Sequence, residues 1–521
     1  MSISRARAIA FDILRRVEAE GAYASDLLHA ELAESHERVR GPGAGGAPPK
    51  AIKPEDAALA TELTLGVLRW QRLLDFLLDR HLKKPVAKLD LPVALALRLG
   101  LYQIEFLERI PSRAAVNESV ELVKRARKAS AASLVNAVLH RAVEDVRTFS
   151  FARESRALLS RKSLVGAASQ TANPGKSLAG LSVDNRLTAL PPAERLGILH
   201  SHPTWLVERW LVRFGQERTL ALLEANNRPP RLSCALNDID HRDEIIASLA
   251  KSGLRVGPGV LLKNAFTAGG ASVTRTAAFV RGAISIQDEA SQTIPLLLDV
   301  QTGERVLDLC AAPGGKTLPL VRAAGPAGLV IAADRHSRRL RATRAQFERL
   351  RIETRFCSRA ALAEAGGQSV ALVELDAEQP LPFRAPFDRI LLDAPCSGTG
   401  TLARHPEIRW RLKPGRLAEF QRLQVAILAS ALEALAPGGH LVYSTCSIEP
   451  EENEDVVKGV LSGLKRVQLV PKSETALALA PHLTSGIDPA TLLDASGYFR
   501  TVPGANATDG FFAAALKKDE N

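Results

Sequence analysis

Residues 387–400, with the sequence Phe-Asp-Arg-Ile-Leu-Leu-Asp-Ala-Pro-Cys-Ser-Gly-Thr-Gly, constrain the fold of this chain more than any other stretch. The run 390–392 is apolar on both faces, which is typical of a buried strand in a parallel sheet. The run ends at Asp393, and Cys396 follows three residues later. Open α/β sheets bind ligands beyond the carboxyl ends of such strands, so we expect both side chains at a binding site.

The same strand pattern recurs between residue 284 and the end of the chain, where apolar runs alternate with helical segments. This alternation predicts a doubly wound α/β domain over residues 284–521. The predicted strands are residues 306–309, 329–333, 370–375, 390–392, 441–444 and 511–516, the last within a terminal hairpin. A second thiol, Cys446, follows strand 441–444 much as Cys396 follows strand 390–392.

The remaining residues predict further domains, because 521 residues are enough for about two to four of them. Residues 1–145 have apolar side chains at helical spacing, which predicts an all-helical domain. Residues 146–190 lose this periodicity and are rich in Arg, Ser, Ala and Gly, so we expect a linker or a poorly ordered insertion. Residues 191–283 mix helix and strand signals and predict a small α+β module.

The charge of the chain favours a polyanionic partner. The net charge is +11, which makes nucleic acid the first expectation, although a basic enzyme fits the charge equally well. The segment 404–410, Arg-His-Pro-Glu-Ile-Arg-Trp, combines cations with an aromatic residue and suits RNA contacts, with a surface loop around a packed Trp410 as the alternative. A helical basic cluster forms either a solvated face or a phosphate-contacting surface; it contains Lys124, Arg125, Arg127 and Lys128.

The cysteine pattern and the N-terminus indicate a cytoplasmic protein. The five cysteines are odd in number and include no Cys-x-x-Cys pair, which disfavours a disulfide framework and a zinc site. We see no secretory signal and no uncharged apolar span of the ~20 residues that a membrane helix needs. We therefore expect a soluble protein in a reducing compartment, without a metal.

The loop after the first predicted strand has the composition of a cofactor site. Residues 308–317, Asp-Leu-Cys-Ala-Ala-Pro-Gly-Gly-Lys-Thr, precede a helix, and the glycines let the backbone approach a ligand closely. Asp334 lies twenty residues after Gly314, at the end of the second strand, where it can accept hydrogen bonds from ribose hydroxyls. The loop matches neither the dinucleotide nor the triphosphate pattern, so a nucleoside-type cofactor without phosphates, such as S-adenosylmethionine, fits best.

The third motif surrounds the second thiol. Cys446 lies between hydroxyl residues, at a strand end beside a helix N-terminus, which favours its ionisation. Three acidic residues follow: Glu449, Glu451 and Glu452. They would oppose ionisation if they pointed inward, and we expect them instead to line the helix N-terminus, where the dipole favours them.

Together these motifs resemble the RNA cytosine-C5 methyltransferase family. The matching residues are Pro395-Cys396, Thr445-Cys446-Ser447, Ala312-Pro313-Gly314-Gly315-Lys316-Thr317 and Asp509-Gly510-Phe511-Phe512. The N-terminal helices resemble the NusB-like RNA-binding domain at residues 117–120 and 134–139. The combination is similar to the bacterial Sun/Fmu-type 16S ribosomal RNA methyltransferases over nearly the whole chain, with residues 41–50 and 146–190 as insertions.

The resemblance implies a multidomain architecture and residue roles. It implies an all-α NusB-like domain over 1–145, a small α+β RNA-binding module over 191–283 and a Rossmann-like S-adenosylmethionine-dependent domain over 284–521. Cys446 would be the nucleophile that adds to C6 of cytosine, Cys396 would assist proton loss from C5 and enzyme release, and Asp393 would contact the base edge. The implied cofactor-binding residues are Cys310, Ala311, Ala312, Pro313, Gly314, Gly315, Lys316, Asp334, Asp376 and Asp393.

The implied function is methylation of C5 of a specific cytosine in 16S ribosomal RNA by a monomer. The same reaction on transfer RNA is an alternative, and so is a non-catalytic RNA-binding or ribosome assembly factor. The presence of both cysteines disfavours the non-catalytic protein. A DNA methyltransferase is disfavoured because those enzymes use the Pro-Cys thiol alone as nucleophile.

Overall fold

The structure, a computed structural model, describes residues 3–37, 52–148, 185–357 and 370–520. The insertion expected at 41–50 and residues 149–184 of the expected linker lie outside the described residues. The chain divides into two compact units. A helical unit contains Met1–Asn227 and Ala403–Arg411, and a sheet unit contains Arg228–Leu402 and Leu412–Asn521.

The N-terminal part of the helical unit confirms the all-helical prediction. Its helices are α1 (Arg5–Glu20), α2 (Ala24–Glu37), α3 (Pro54–Asp79), α4 (Leu91–Phe106), α5 (Ser112–Arg125), α6 (Ala132–Thr148), α7 (Asn185–Thr188), α8 (Pro192–Leu199) and α9 (Thr204–Asn227). Residues 93–103 of α4 are all buried, so this helix is central to the core. Gly215 interrupts α9 with a φ of 72°.

The basic cluster of the helical unit is largely ion-paired. Lys124 Nζ lies 2.7 Å from a Glu121 oxygen, Arg125 Nη2 lies 2.6 Å from Asp12, and Lys128 Nζ lies 2.6 Å from Asp90. Exposed pairs of this kind contribute at most about 1 kcal/mol. Replacing these ion pairs by contacts with phosphate groups would therefore cost little free energy.

The segment around the short helix Ile408–Arg411 is a structural part of the helical unit. Arg409 is fully buried, and its guanidinium donates to Ser201 O at 3.0 Å, Asn226 O at 3.0 Å and Asn227 Oδ1 at 2.8 Å. The indole Nε1 of Trp410 donates to Leu68 O at 2.7 Å. The expectation that Arg409 contacts RNA is wrong, because its charge is enclosed by carbonyl groups, and Trp410 follows the alternative of a packed side chain.

A small antiparallel sheet opens the sheet unit and confirms that a small α+β module follows the N-terminal helices. Its first strand begins at Leu232, and residues 191–227 of the range predicted for this module belong to the helical unit instead. The strands of the small sheet are β1 (Leu232–Leu236), β2 (Leu254–Pro258), β3 (Ala265–Gly270) and β4 (Ile284–Ile286), in the order β2-β3-β1-β4. Helices α10 (Arg242–Lys251) and α11 (Ala277–Val280) accompany it. Cys234, Leu249 and Phe266 are buried in the core of this module.

A nine-stranded sheet forms the rest of the sheet unit within the described residues. Its strands are β5 (Arg305–Leu309), β6 (Leu329–Asp334), β7 (Thr354–Phe356), β8 (Val370–Glu374), β9 (Phe387–Asp393), β10 (Leu435–Thr445), β11 (Val467–Leu469), β12 (Phe499–Thr501) and β13 (Phe511–Lys518). The order is β11-β13-β10-β9-β5-β6-β8-β7, with β12 also paired to β13. The pairs from β10 to β7 are parallel, and β13 is antiparallel to β10, β11 and β12.

All six predicted strands of this domain are confirmed, including the terminal hairpin of β12 and β13. The prediction did not locate β7, β11 or the first strand of that hairpin, β12, because each has three residues, which are too few to show an alternating pattern. The helices of this part are α12 (Glu289–Thr293), α13 (Thr317–Ala324), α14 (Ser337–Arg349), α15 (Pro414–Glu433), α16 (Glu454–Leu461) and α17 (Lys472–Leu479).

The sheet is buried on both faces, as the apolar run in β9 predicts. Leu391 and Leu392 are both fully buried, and they belong to separate hydrophobic clusters. Successive side chains of a strand point to opposite faces, so the clusters lie on either side of the sheet. Each such leucine contributes about 1.5–3 kcal/mol by burial. Among the described helices, none combines the length and the apolar character needed to cross a membrane.

Candidate active site

The strand register brings the ends of four parallel strands to one edge of the sheet. Leu309 at the end of β5 pairs with Ala333 on one side and with Leu392 on the other. Asp393, the last residue of β9, pairs with Ser444 of β10. The loops that follow these strands therefore leave the sheet next to one another.

Two of these loops bring the thiols of Cys396 and Cys446 into contact. The two Sγ atoms lie 3.4 Å apart, although the residues are fifty positions apart in the chain. Both side chains are half-buried. Hydrogen bonds hold the loops in place: Ala394 N donates to Ser444 O at 2.8 Å, and Gly400 N donates to Cys446 O at 2.9 Å. A planar ring beside one sulfur would therefore be within reach of the other.

The surroundings of Cys396 keep its thiol protonated. The contact with Cys446, burial and the negative charge of Glu452 together hold the pKa of Cys396 well above its usual range. A protonated thiol is a hydrogen-bond donor and a weak nucleophile. Cys396 is therefore better suited to proton handling beside Cys446 than to nucleophilic attack.

Glu452 points inward and Glu449 is buried as well, contrary to the expectation that they line the helix N-terminus. Glu452 is fully buried, and its carboxylate accepts hydrogen bonds from Ser397 N at 2.7 Å and from Ser447 Oγ at 2.5 Å. Burial raises the pKa of Glu452, and the bonds from the two serines oppose that shift. The carboxylate points inward because two buried hydroxyl groups there need an acceptor.

The expected cofactor loop, residues 310–316, lies directly after β5 and is tied to the end of β6. Ala312 N donates to Asp334 Oδ2 at 3.3 Å, and Arg339 Nη1 lies 3.3 Å from the same oxygen. Gly314 has a φ of 91°, and a Cβ there would lie 2.7 Å from Thr343 Cγ2. A side chain at Gly314 is therefore excluded both by conformation and by space.

Lys316 joins this loop to the strand that precedes Cys396. Its Nζ donates to Asp393 Oδ2 at 2.6 Å, while Ser444 Oγ donates to Asp393 Oδ1 at 2.8 Å. The ammonium also lies 5.1 Å from the centroid of the Phe511 ring. Asp393 is thus shared between the cofactor loop and the cysteine-bearing strands.

Asp376 lies at the same edge but makes different contacts. It follows β8 by two residues, accepts a hydrogen bond from Glu378 N at 3.1 Å and lies 3.8 Å from Arg335 Nε. Leu375 N donates to Asp334 O at 3.2 Å, which connects this turn to the end of β6. The backbone brings Asp376 near Asp334, whereas the Asp376 carboxylate is directed to Glu378 N and Arg335.

The donor and acceptor groups of this edge fit a cationic nucleoside-type cofactor. Asp334, Asp376 and Asp393 are acceptors, and a carboxylate has about four lone-pair positions, so each can accept further bonds from hydroxyl or ammonium groups. Asp308 is fully buried beneath the loop, and its Oδ1 atom has no hydrogen-bond partner in the part of the chain that the structure describes. Burial raises the pKa of Asp308 to about 7, and Thr317 Oγ1 donates to its other oxygen at 2.6 Å. Burial among these acidic groups likewise raises the pKa of Cys310, so that thiol is not ionised.

Sequence reasoning missed the residues that hold the two cysteine loops. Gly510 N donates to Gly400 O at 2.8 Å, so the terminal Asp-Gly-Phe-Phe motif lies directly against the loop of Cys396. Asp509 N in turn donates to Asp288 Oδ1 at 3.1 Å. The sequence contains one sign of the inward position of Glu452: a serine, whose hydroxyl can donate to a carboxylate, follows each of the two cysteines.

Comparisons with known proteins agree with this architecture. The family model described as 16S rRNA methyltransferase RsmB/F matches residues 295–517, the NusB family matches residues 4–144, and the ferredoxin-like domain of RsmF/B-like methyltransferases matches residues 202–270. The probable ribosomal RNA small subunit methyltransferase B of Bacillus subtilis strain 168 is 30% identical over 519 residues, covering 99% of this chain and 100% of the relative.

A protein of the same description from Synechocystis strain PCC 6803 is 30% identical over 518 residues, covering 98% of this chain and 99% of that protein. Among solved structures, the crystal structure of PH0851 superposes with a TM-score of 0.71 at 23% identity, covering 99% of this chain and 100% of the other. This superposition supports the fold.

Proposed function

Because the chain belongs to the RsmB/F family of 16S rRNA methyltransferases, we propose that it methylates C5 of one cytosine in 16S ribosomal RNA through a covalent cysteine intermediate. The enzyme class is an S-adenosylmethionine-dependent rRNA methyltransferase. The observation that carries the finer proposal is the 3.4 Å separation of the Cys396 and Cys446 sulfurs at the edge of the sheet. Two thiols so placed suit a reaction at adjacent carbons of one ring.

The chemistry requires a nucleophile, because C5 of cytosine is too electron-poor to attack a methyl group unaided. The thiolate of Cys446 adds to C6, and the electron pair of the C5–C6 double bond becomes available at C5. When bound, S-adenosylmethionine supplies an electrophilic methyl group on a sulfonium. C5 would form a bond to that methyl while the bond between the methyl and the sulfonium breaks and releases a neutral thioether. C5 would then give its proton to water, and the electron pair of the C5–H bond would restore the C5–C6 double bond as the C6–sulfur bond breaks.

Cys396 is placed to assist this final step. Its protonated thiol lies beside the sulfur that must leave C6, and a hydrogen bond to that sulfur stabilises the departing thiolate. Departure of the thiolate is coupled to loss of the C5 proton. The target base must leave its stack before any of these steps, because the sulfur attacks the face of the ring.

The carboxylates have separate roles in this proposal. Asp393, held by Lys316 and Ser444, would contact the amino edge of the cytosine and lie near the methyl donor. The backbone of residues 310–316 with Asp334 and Asp376 would hold the nucleoside and amino-acid parts of S-adenosylmethionine. Lys316 would hold Asp393 in this orientation through the 2.6 Å hydrogen bond from its ammonium group.

The other domains would bind the RNA. The NusB-like helices and the small sheet are the candidates, the latter through an open groove lined by Arg231, Arg255 and Thr267. Ribosomal RNA as the substrate supports a cytoplasmic location. We propose that the enzyme acts as a monomer, since both thiols and the expected cofactor residues belong to one chain.

Cysteine variants test the reaction. We expect Cys446→Ala to abolish transfer of labelled methyl to 16S RNA, while Cys396→Ala accumulates an RNA adduct that survives denaturing electrophoresis. Cys357→Ala, which removes a thiol outside the pair, is the matched control and should behave as wild type. If Cys446→Ala formed the adduct and Cys396→Ala turned over normally, the two roles would be reversed.

Bisulfite mapping of RNA from cells lacking the protein tests the substrate. We expect one 5-methylcytosine to disappear from 16S ribosomal RNA. Loss of a site in transfer RNA alone would support the transfer RNA alternative, and an unchanged map would support the non-catalytic one.

A further inference from the structure

One buried carboxylate connects the two loops that carry the paired thiols. Ser397 follows Cys396, Ser447 follows Cys446, and both serines donate to Glu452. Ser397 binds it twice, through its backbone N–H to Oε1 at 2.7 Å and through its hydroxyl to Oε2. Each cysteine is therefore one residue away from the same anchor.

Further bonds fix this carboxylate from other sides. Thr399 Oγ1 lies 3.1 Å from Ser447 Oγ, and Gln424 Nε2 lies 3.4 Å from Glu452 Oε1 and donates to Pro395 O at 2.9 Å. Hydrogen bonds to an ionised carboxylate are roughly twice as strong as neutral ones. In a buried site no water competes for them, so the network restrains the two loops to one arrangement.

We propose that Glu452 is a positioning residue that sets the separation of the Cys396 and Cys446 sulfurs. The inference rests on the proposed function, in which both thiols act on one cytosine. Glu452 is not a catalytic residue, because it contacts the serines and not the sulfurs. A misplacement of about 1 Å in a reacting group can lower the rate about 100-fold, so removing the Glu452 carboxylate should lower kcat.

The chain offers a matched control for this substitution. Glu289 is also fully buried in the sheet unit, and it accepts hydrogen bonds from the backbone N–H groups of Val260, Leu261 and Leu262. Its carboxylate bonds to residues 260–262, which belong to neither cysteine loop. Glu289→Ala therefore removes an equally buried carboxylate without releasing the thiols, and it measures the effect of lost stability alone.

Thiol bridging measures the separation without any methylation. Dibromobimane becomes strongly fluorescent when it links two nearby thiols, and we expect rapid bridging in the wild type and none in Cys396→Ala. Glu452→Ala should slow bridging at least tenfold, whereas Glu289→Ala should leave the rate unchanged. Equal bridging rates in the wild type and Glu452→Ala would overturn the proposal.

Kinetics provide the second readout. We expect Glu452→Ala to lower kcat about 100-fold with the KM for RNA within a factor of two, and Glu289→Ala to lower the melting temperature with kcat maintained. If Glu452→Ala does not fold, Ser447→Ala is the alternative variant. It removes one hydrogen bond to the Glu452 carboxylate and should slow bridging by a smaller factor. An unchanged bridging rate in Ser447→Ala would then overturn the proposal.

The two readouts separate the possible failures. Slower bridging in Glu452→Ala together with an active Cys446→Ala enzyme would refute the covalent mechanism and leave the positioning role intact. Normal bridging in Glu452→Ala together with an inactive Cys446→Ala enzyme would refute the positioning role alone.

Discussion

The contact between Gly400 and Gly510 makes a quantitative prediction for Gly400→Ala. A Cβ at position 400 would lie 2.7 Å from the carbonyl carbon and 2.8 Å from the Cα of Gly510. Non-bonded carbon atoms rest at about 3.5 Å, so the two backbones must separate by at least about 0.8 Å, the difference between 3.5 and 2.7. The carbonyl oxygen of Gly510 lies closer still to the added Cβ and increases this displacement. The φ of Gly400 is ordinary, so the effect is purely steric.

This separation would disturb the loop of the proposed nucleophile. Gly400 N donates to Cys446 O, and Gly510 N donates to Gly400 O, so movement of the loop stretches both bonds. We expect kcat for methyl transfer to fall by about 100-fold, as for a displacement near 1 Å. The overpacked contact should also cost about 1–3 kcal/mol in the free energy of unfolding.

Single-turnover methyl transfer to 16S RNA, with urea denaturation of the same samples, measures both quantities. Gly459→Ala is the matched control, since a Cβ at this position in α16 would meet no atom of the described residues within 4 Å. Replacing a glycine inside a helix by alanine should raise the free energy of unfolding of that variant by about 0.5–1 kcal/mol and leave kcat unchanged. A Gly400→Ala enzyme with wild-type kcat would refute the link between this contact and the position of Cys446.

Two further predictions concern buried charges. Arg409→Met should lower the free energy of unfolding in urea by more than about 3 kcal/mol, because each buried acceptor left without a donor costs about 1–3 kcal/mol. The control Arg16→Met, at an exposed ion pair, should change this free energy by less than about 1 kcal/mol. Equal effects of the two substitutions would contradict the role of Arg409. Burial raises the pKa of Asp308 to about 7, above the value of about 3.9 in an unfolded chain, so protonation stabilises the fold and stability falls as pH rises from about 4 to 7. The side chain of the Asp308→Asn variant does not titrate, so its melting temperature relative to that of the wild type should be higher at pH 8 than at pH 5. The same difference in melting temperature at both pH values would contradict the raised pKa of Asp308.

The local sequence was sufficient to predict the parallel strands and the residues at their ends. A strand buried on both faces must be apolar at consecutive positions, and that requirement appears locally in β5, β6, β8, β9 and β10. The residues after such strands lie at one edge in any parallel sheet. The sequence alone therefore predicts a common site for Asp393, Cys396 and Cys446.

Which side chains serve packing and which serve the site depended on contacts between distant segments of the chain. The composition of residues 404–410 suits RNA equally well whether Arg409 is exposed or enclosed, and only the carbonyl groups of the helical unit settle its burial. Glu452 is acidic beside a helix start in either case, and the serines that turn it inward come partly from a loop fifty-five residues away. Hydrogen bonds between distant segments leave no periodic pattern in the sequence, because their partners meet only after the sheet has formed.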